Sequence, residues 1–311
     1  MKLISIMTPC FNEEGNVREL ISRIRKVMEE QFDYYQYEHI LIDNASTDDT
    51  VKILKELALE DIRIKIIVNS RNFGHIKSPA YGLFQASGDA VIVMVSDLQD
   101  PPELIPELIR KWEAGADMVL AIRKSSQENL VMYKVRELYY TLLQKLSEIK
   151  IYKNFTGFGL YDRKVVYALK SIDDPYPFLR GMISEVGYTV DTIEYDQPVR
   201  LHGITKNNFY TLYDMGILGI MNYSKIPLRL AIFSSVIIAL LSIVTGFGYL
   251  IAKLIYWDTM SLGVAPLLIG ASFSFSVLLF FIGIIGEYIG MIYTQVLNRP
   301  LVFEKERINF D

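Results

Sequence analysis

The sequence predicts an α/β fold in which a mostly parallel sheet carries helices on both faces and is followed by two membrane-spanning helices. Three observations carry this expectation. Short apolar runs alternate with helical patterns through the N-terminal two thirds of the chain, the segment after each of the first four runs is polar, and two long uncharged stretches lie near the C-terminus.

The elements follow in order. Residues 3–8, 39–43, 64–68, 90–95 and 118–122 are short runs rich in Ile, Leu, Val and Met and are expected as buried strands. Residues 16–28 place Val17, Leu20, Ile21 and Ile24 at helical spacing, and residues 48–58, 76–86 and 102–114 repeat that rhythm. Asp48 is a natural cap before the second helix, and Pro101 and Pro102 open the fourth. In sheets of this kind ligands bind beyond the carboxyl ends of the strands, so the residues after each strand are the place to look.

Composition bounds the rest. The chain has 311 residues, 51% hydrophobic and 22% charged, with net charge −4, three histidines and a single cysteine, Cys10. It is too apolar for disorder, and with one cysteine it forms neither a disulfide scaffold nor a Cys/His zinc cluster. No Gly-x-Gly-x-x-Gly run and no Gly-Lys-Ser/Thr run is present, which argues against dinucleotide oxidoreductases and P-loop enzymes. The mean hydropathy of +0.22 is high for a chain with this many charges. Its source is local: Leu230 to Ala252 are 23 consecutive uncharged residues, and residues 259–286 form a second such run. As a helix the first spans roughly 34 Å, enough for a hydrocarbon core of about 30 Å.

Lys206, Lys225 and Arg229 precede the first span, and Arg299, Lys305 and Arg307 follow the second. The positive-inside bias therefore puts both termini in the cytoplasm. No signal-type segment opens the chain, which agrees with a reduced Cys10. The expected organisation is a cytoplasmic catalytic domain over residues 1–200 and an amphipathic juxtamembrane segment over 201–228. Transmembrane helices at about 230–255 and 262–290 occupy residues 229–295, and a cytoplasmic tail covers 296–311.

Four strand ends carry the candidate chemistry. They read Pro9-Cys10-Phe11-Asn12-Glu13-Glu14, then Asp43-Asn44-Ala45-Ser46-Thr47-Asp48, then Asn69-Ser70-Arg71-Asn72-Phe73-Gly74, and finally Ser96-Asp97-Leu98-Gln99-Asp100-Pro101-Pro102. One such segment is ordinary turn chemistry; four on one sheet edge point to a site. At these residues, together with residues 154–163 (NFTGFGLYDR), residues 200–206 and the two spans, the chain resembles family 2 glycosyltransferases of the GT-A fold. More closely it resembles the bacterial polyisoprenyl-phosphate group, the bactoprenol glucosyltransferases related to dolichol-phosphate mannose synthase.

The resemblance implies roles. Asp97 and Gln99 would hold Mg²⁺ or Mn²⁺, with Asp100 nearby, to stabilise charge developing on a departing nucleoside diphosphate. Pro9, Asn12, Glu13, Asp43, Arg71 and Asn72 would bind the nucleotide sugar, expected to be a UDP-sugar. Arg123, Arg136, Arg200 and Lys206 would position an undecaprenyl phosphate acceptor, Arg123 and Arg136 with a catalytic role. A phosphate nucleophile needs positioning more than a base, and its direct attack inverts the anomeric centre. Further implied are a bacterial cytoplasmic membrane setting, membrane lipids as partners, a capacity for homo-oligomers, and a separate flippase and downstream glycosyltransferase. No nucleic-acid partner is expected.

Four residues depart from the family pattern. Val95 stands where relatives carry the first carboxylate of Asp-x-Asp, Gly157 where many carry Asp, and Asn44-Ala45 where Asp-Gly or Asp-Ser is commoner. Val95 and Gly157 motivate the alternative of a nucleotide-sugar-binding membrane protein without turnover. A processive polysaccharide synthase is the other alternative; it normally carries Gln-x-x-Arg-Trp, and neither Trp112 nor Trp257 lies in such a run.

Overall fold

The computed structural model describes residues 2–124, 152–198, 224, 226–257 and 263–310. Eight strands form one sheet: β1 (Leu3–Cys10), β2 (Gln36–Asp43), β3 (Ile64–Asn69), β4 (Ala90–Val93), β5 (Met118–Arg123), β6 (Phe155–Asp162), β7 (Val190–Tyr195) and β8 (Glu304–Ile308). Their order across the sheet is β7-β5-β6-β4-β1-β2-β3-β8. β1 pairs in parallel with β2 and β4, β2 with β3, and β5 with β7, whereas β6 and β8 run antiparallel to their neighbours. The sheet is therefore mostly parallel, as the alternation of elements predicts.

Side-chain alternation explains the layers. Ile4 and Ile6 of β1 point to one face, where they pack with Leu20 and Ile24 of α1 (Val17–Gln31) and Leu108 and Ile109 of α4 (Ile105–Glu113). Met7, with Ile40 and Ile42 of β2, points to the other. There it meets Leu83 of α3 (Gly74–Gln85), Val165 of α5 (Arg163–Ser171) and Met182 of α6 (Leu179–Glu185). α2 (Thr50–Glu60) joins α1 on the first face through Leu54, Ile21 and Leu41. Strands covered on both faces have no polar side to show, which is why they read as continuous apolar runs.

β6 lies between β4 and β5 and brings its first residues to the carboxyl edge of the parallel strands. A side chain at Gly159 would sit 2.5 Å from the Val119 carbonyl oxygen, so glycine is what lets β6 close against β5.

The segment after the second span differs from the expected tail. Residues Glu304–Ile308 form β8 on the open edge of β3. Lys55 pairs with Glu306 at 2.5 Å, and the Asn309 amide donates to the carbonyls of Ala58 and Ile64, each at 2.9 Å. A strand reading Glu-Lys-Glu-Arg-Ile has no apolar face for sequence periodicity to detect; paired charges and the β3 ladder hold it instead.

The chain divides into two compact units, and Asn298–Asp311 belongs with the sheet domain. The other contains α7 (Ile226–Ile255, 30 residues) and α8 (Val264–Leu297, 34 residues). Both helices are long and apolar enough to cross a membrane, with a mean hydropathy of 2.4 in their spans, and their large apolar side chains are exposed. α8 continues to Leu297, past the predicted end near residue 290. The predicted amphipathic segment lies largely outside the described residues.

Candidate active site at the carboxyl edge of the sheet

The loops after β1 and β2 are tied together by Asn12 and Ser46 and by two carboxylates, Glu14 accepting from the Asp49 N–H and Asp48 from the Glu14 N–H, and Asn44 ties β2 to the loop after β3. Asn12 adopts a left-handed backbone with φ 56°. In that conformation its N–H donates to Ser46 Oγ at 2.8 Å, and its Oδ1 accepts from the Thr47 N–H at 2.8 Å. Asn44 bridges β2 to the loop after β3. Its amide donates to Asn72 Oδ1 at 3.0 Å and to the Gly74 carbonyl at 3.1 Å. Its Oδ1 accepts from the Phe73 N–H at 2.9 Å and the Asn69 amide at 3.2 Å. An aspartate at this position would accept but could not donate, so Asn44 is suited to both sides of the bridge.

Asp43 closes β2 with its side chain fully buried. Oδ2 accepts from the Ser46 N–H at 2.9 Å, while buried Oδ1 has no partner. Burial pushes this carboxyl above the usual carboxylate range, although the bonds from Ser46 and Ala45 oppose it. Cys10 behind it is a buried neutral thiol, its pKa raised first by burial and then by Asp43 and Glu13.

The loop after β4 is the charged part. Leu98 takes φ 61° while its side chain enters the core, an arrangement that leaves its neighbours Asp97 and Gln99 half-exposed. Asp97 Oδ1 accepts the Gln99 N–H at 3.1 Å. Asp100 turns inward and is 1% exposed. Its Oδ2 accepts the Val95 N–H at 3.1 Å and its Oδ1 accepts the Tyr195 hydroxyl at 2.9 Å. Arg123, at the end of β5, donates from Nε to that same Tyr195 oxygen at 3.2 Å and brings Nη2 to 3.8 Å from Asp100. Burial raises the Asp100 carboxyl to about 6, with Arg123 pulling it down.

Pro9, Asn12, Asp43 and Asn72 thus lie on the carboxyl edge of the sheet at the ends of β1, β2 and β3, and Asp97, Gln99 and Arg123 on the same edge at the ends of β4 and β5. Two predicted residues do otherwise. Glu13 is buried and accepts from the Asn16 amide at 2.6 Å, so it braces the start of α1. The Arg71 guanidinium lies 4.1 Å over the Phe73 ring and donates to the Asn72 carbonyl, at the outer rim. Arg136, Arg200 and Lys206 lie outside the described residues. Sequence reasoning missed Tyr195, which ends a short, mixed strand, and the bridging use of Asn44.

No group of three His, Cys, Asp or Glu side chains that could hold a metal occurs among the described residues. Asp97 and Gln99 do offer two hard oxygen ligands on one turn. That set fits a divalent cation taking its remaining ligands from phosphate oxygens and water. At the Gly157 position a Cβ would meet nothing within 4 Å among the described residues, but φ is 112°, a backbone conformation that strains any L side chain, so this backbone suits glycine rather than aspartate.

Residues 5–169 match the model of glycosyl transferase family 2. The chain belongs to that family. As a family 2 glycosyltransferase it has relatives that match along nearly its whole length. It is 39% identical over 300 residues to the SfII prophage-derived bactoprenol glucosyl transferase of Shigella flexneri, covering 96% of each chain. An uncharacterized glycosyltransferase of Synechocystis sp. is 38% identical over 299 residues, covering 96% of this chain and 93% of the relative. Among solved structures, glucosyl-3-phosphoglycerate synthase from Mycobacterium tuberculosis, crystallised with Mn²⁺, UDP and phosphoglyceric acid, overlaps 71% of this glycosyltransferase and 76% of its own chain. That overlap has a TM-score of 0.49 at 19% identity.

Proposed function

We propose that this glycosyltransferase moves a hexose from a UDP-sugar, UDP-glucose or a close analogue, to undecaprenyl phosphate at the cytoplasmic face of a bacterial membrane. The observation that carries the reading is the likeness to a bactoprenol glucosyl transferase over 96% of both chains, a match long enough to include the two apolar helices. The site's chemistry supports it. Among the described residues at this edge Asp97 is taken up by the metal role, Asp100 is buried and bonded, and Gly157 offers no side chain that could act as a base for a sugar hydroxyl. A lipid phosphate brings its own anionic nucleophile and needs only to be held.

Roles follow from position. Oδ1 of Asp43 is an acceptor that a donor on the nucleobase would satisfy, and the Asn12 and Asn44 bridges keep its loop rigid. Asp97 and Gln99 would hold Mg²⁺ or Mn²⁺, which when bound offsets charge on the leaving diphosphate. Arg123, fixed by Tyr195 and Asp100, would orient the acceptor phosphate together with Arg136, Arg200 and Lys206. Attack from the face opposite the diphosphate gives a β-linked product from an α-linked donor.

The fold also bears on topology. β8 lies in the same sheet as β1–β7, so a chain that leaves through α7 must return through α8. That supports a hairpin crossing twice, with a separate flippase and a downstream transferase acting on the product. The test is incubation of the full chain in nanodiscs with undecaprenyl phosphate, Mg²⁺ and radiolabelled UDP-glucose. Label extracted into organic solvent, and lost on adding a chelator, is expected. No labelled lipid from UDP-glucose, UDP-galactose, UDP-N-acetylglucosamine or GDP-mannose would overturn the reading. Saturable nucleotide-sugar binding without turnover would instead favour the non-catalytic alternative that Val95 and Gly157 motivate.

A further inference from the structure

A second basic site lies at the other end of the same sheet edge. Arg71, Lys77 and Arg299 line a cavity of about 350 Å³ whose apolar wall includes Phe73, Leu301 and Phe303. Among the described residues none of the three cations has a carboxylate within ion-pair distance, although Asp174 feels Lys77 through space and the Lys77 ammonium lies 5.6 Å over the Tyr176 ring. Neighbouring cations are matched: Lys55 with Glu306, Lys65 with Glu38, and Arg307 with Glu304. Three like charges around one hollow repel one another until an anion joins them.

We propose that this cavity binds the phosphate headgroup of an anionic membrane phospholipid. Two anions of the reaction are too far away. The cavity is built on the loop after β3 and the segment leading into β8, whereas Asp97 follows β4, three strands away in the order β4-β1-β2-β3. At about 4.8 Å per strand that is about 14 Å, so neither a diphosphate nor an acceptor phosphate at Asp97 reaches the trio. The chain itself points to lipid. α8 ends at Leu297, Asn298 turns off it with φ 40°, and Arg299 follows directly. Two peptide units place the Arg299 Cα no more than about 8 Å from the end of that apolar helix. Phe303 is 58% exposed beside the cations, an apolar surface for the glycerol and first acyl carbons. This inference rests on α8 being a membrane span and is independent of what sugar, if any, the chain transfers.

The experiment uses the full chain in phosphatidylcholine nanodiscs containing a photoactivatable phosphatidylglycerol, with crosslinked peptides mapped by mass spectrometry. Adducts on residues 71–77 and 299–303 are expected, and an equally photoactivatable phosphatidylcholine should give few. Lys77→Gln and Arg299→Gln should each lower the adduct yield about five-fold, the factor that about 1 kcal/mol per cation corresponds to. Lys26→Gln and Arg110→Gln, both exposed elsewhere, should leave it unchanged. Equal labelling by the two lipids, adducts confined to other peptides, or no loss in the two variants would overturn the proposal. Displacement by UDP with Mg²⁺ would assign the trio to the donor site, and displacement by millimolar inorganic phosphate would make it a phosphate site without lipid selectivity; either result overturns it. The wild-type adduct map decides the case even where a variant fails to fold.

Discussion

The two halves of the site are made of different materials. Beside β1, β2 and β3 the loops are joined by amides and hydroxyls, Asn12 to Ser46 and Thr47, Asn44 to Asn69, Asn72 and Phe73. Beside β4, β5 and β7 the joints are Asp100, Arg123 and Tyr195, with Asp97 at the rim. Amide and hydroxyl bonds fix the backbone of these loops, and Asp43 beneath them keeps one unpaired acceptor, which suits recognition of a flat base that carries its own donor. A buried carboxylate next to a guanidinium is costly to form and still more costly to break, which suits a place where charge must be held during reaction. One half gives shape and the other gives potential.

Breaking the charged half at its rim should have the largest effect. Asp97→Asn is expected to lower kcat about 100-fold or more, measured as labelled lipid formed per minute with the full chain in nanodiscs. Retention of near wild-type turnover would remove Asp97 from the reaction. In the amide-linked half, Asn44→Ala strips the bridge of all four of its bonds and should cost about 2–3 kcal/mol of stability in a thermal melt. UDP affinity should weaken with it. A merely local loop would melt unchanged.

Charge can also be forced into the amide-linked half. His39 in β2 is buried against Thr8 Oγ1 at 3.0 Å, and burial lowers its pKa from 6.5 to about 3. Between those values the unfolded chain takes up a proton that the folded chain refuses. Stability should therefore fall by about 1.4 kcal/mol for each pH unit below 6.5. The measured difference between wild type and His39→Gln over this window should carry that slope; a flat difference would mean that His39 accepts the proton in place. The smallest effect is expected from Tyr195→Phe, which keeps the ring against Phe158 but frees Arg123 and Asp100 from a shared hydroxyl. A loss of about 1 kcal/mol is expected, seen as a raised KM for the acceptor with the donor KM unchanged. Equal changes in both would mark Tyr195 as a packing residue only.

How well the sequence exposes these features depends on their physics. The five strands from β1 to β5 and the four helices among them are legible because each buries an apolar face with its own period. β6 and β7 are less so, since Thr156, Gly157, Gly159, Asp191 and Glu194 interrupt their pattern, and β8 is stabilised by ion pairs that periodicity does not register. Within the site, Pro9, Asn12, Asp43, Asn72, Asp97, Gln99 and Arg123 sit at strand ends, where topology directs attention. Glu13 shares that address yet faces inward, because the turn into α1 rotates it toward Asn16. Tyr195 meets Arg123 through the pairing of β5 with β7, a contact between residues 72 apart in the chain that no local signal encodes.

β8 has a consequence for how the molecule is made. Among the described residues the outer edge of β3 is covered by β8, which leaves the ribosome after α7 and α8. During synthesis the sheet domain waits with that edge uncovered, and an open edge invites pairing with other strands. Completion of the domain is thereby timed to follow the emergence of both apolar helices. β8 works as a latch that shuts only once both apolar helices have been delivered.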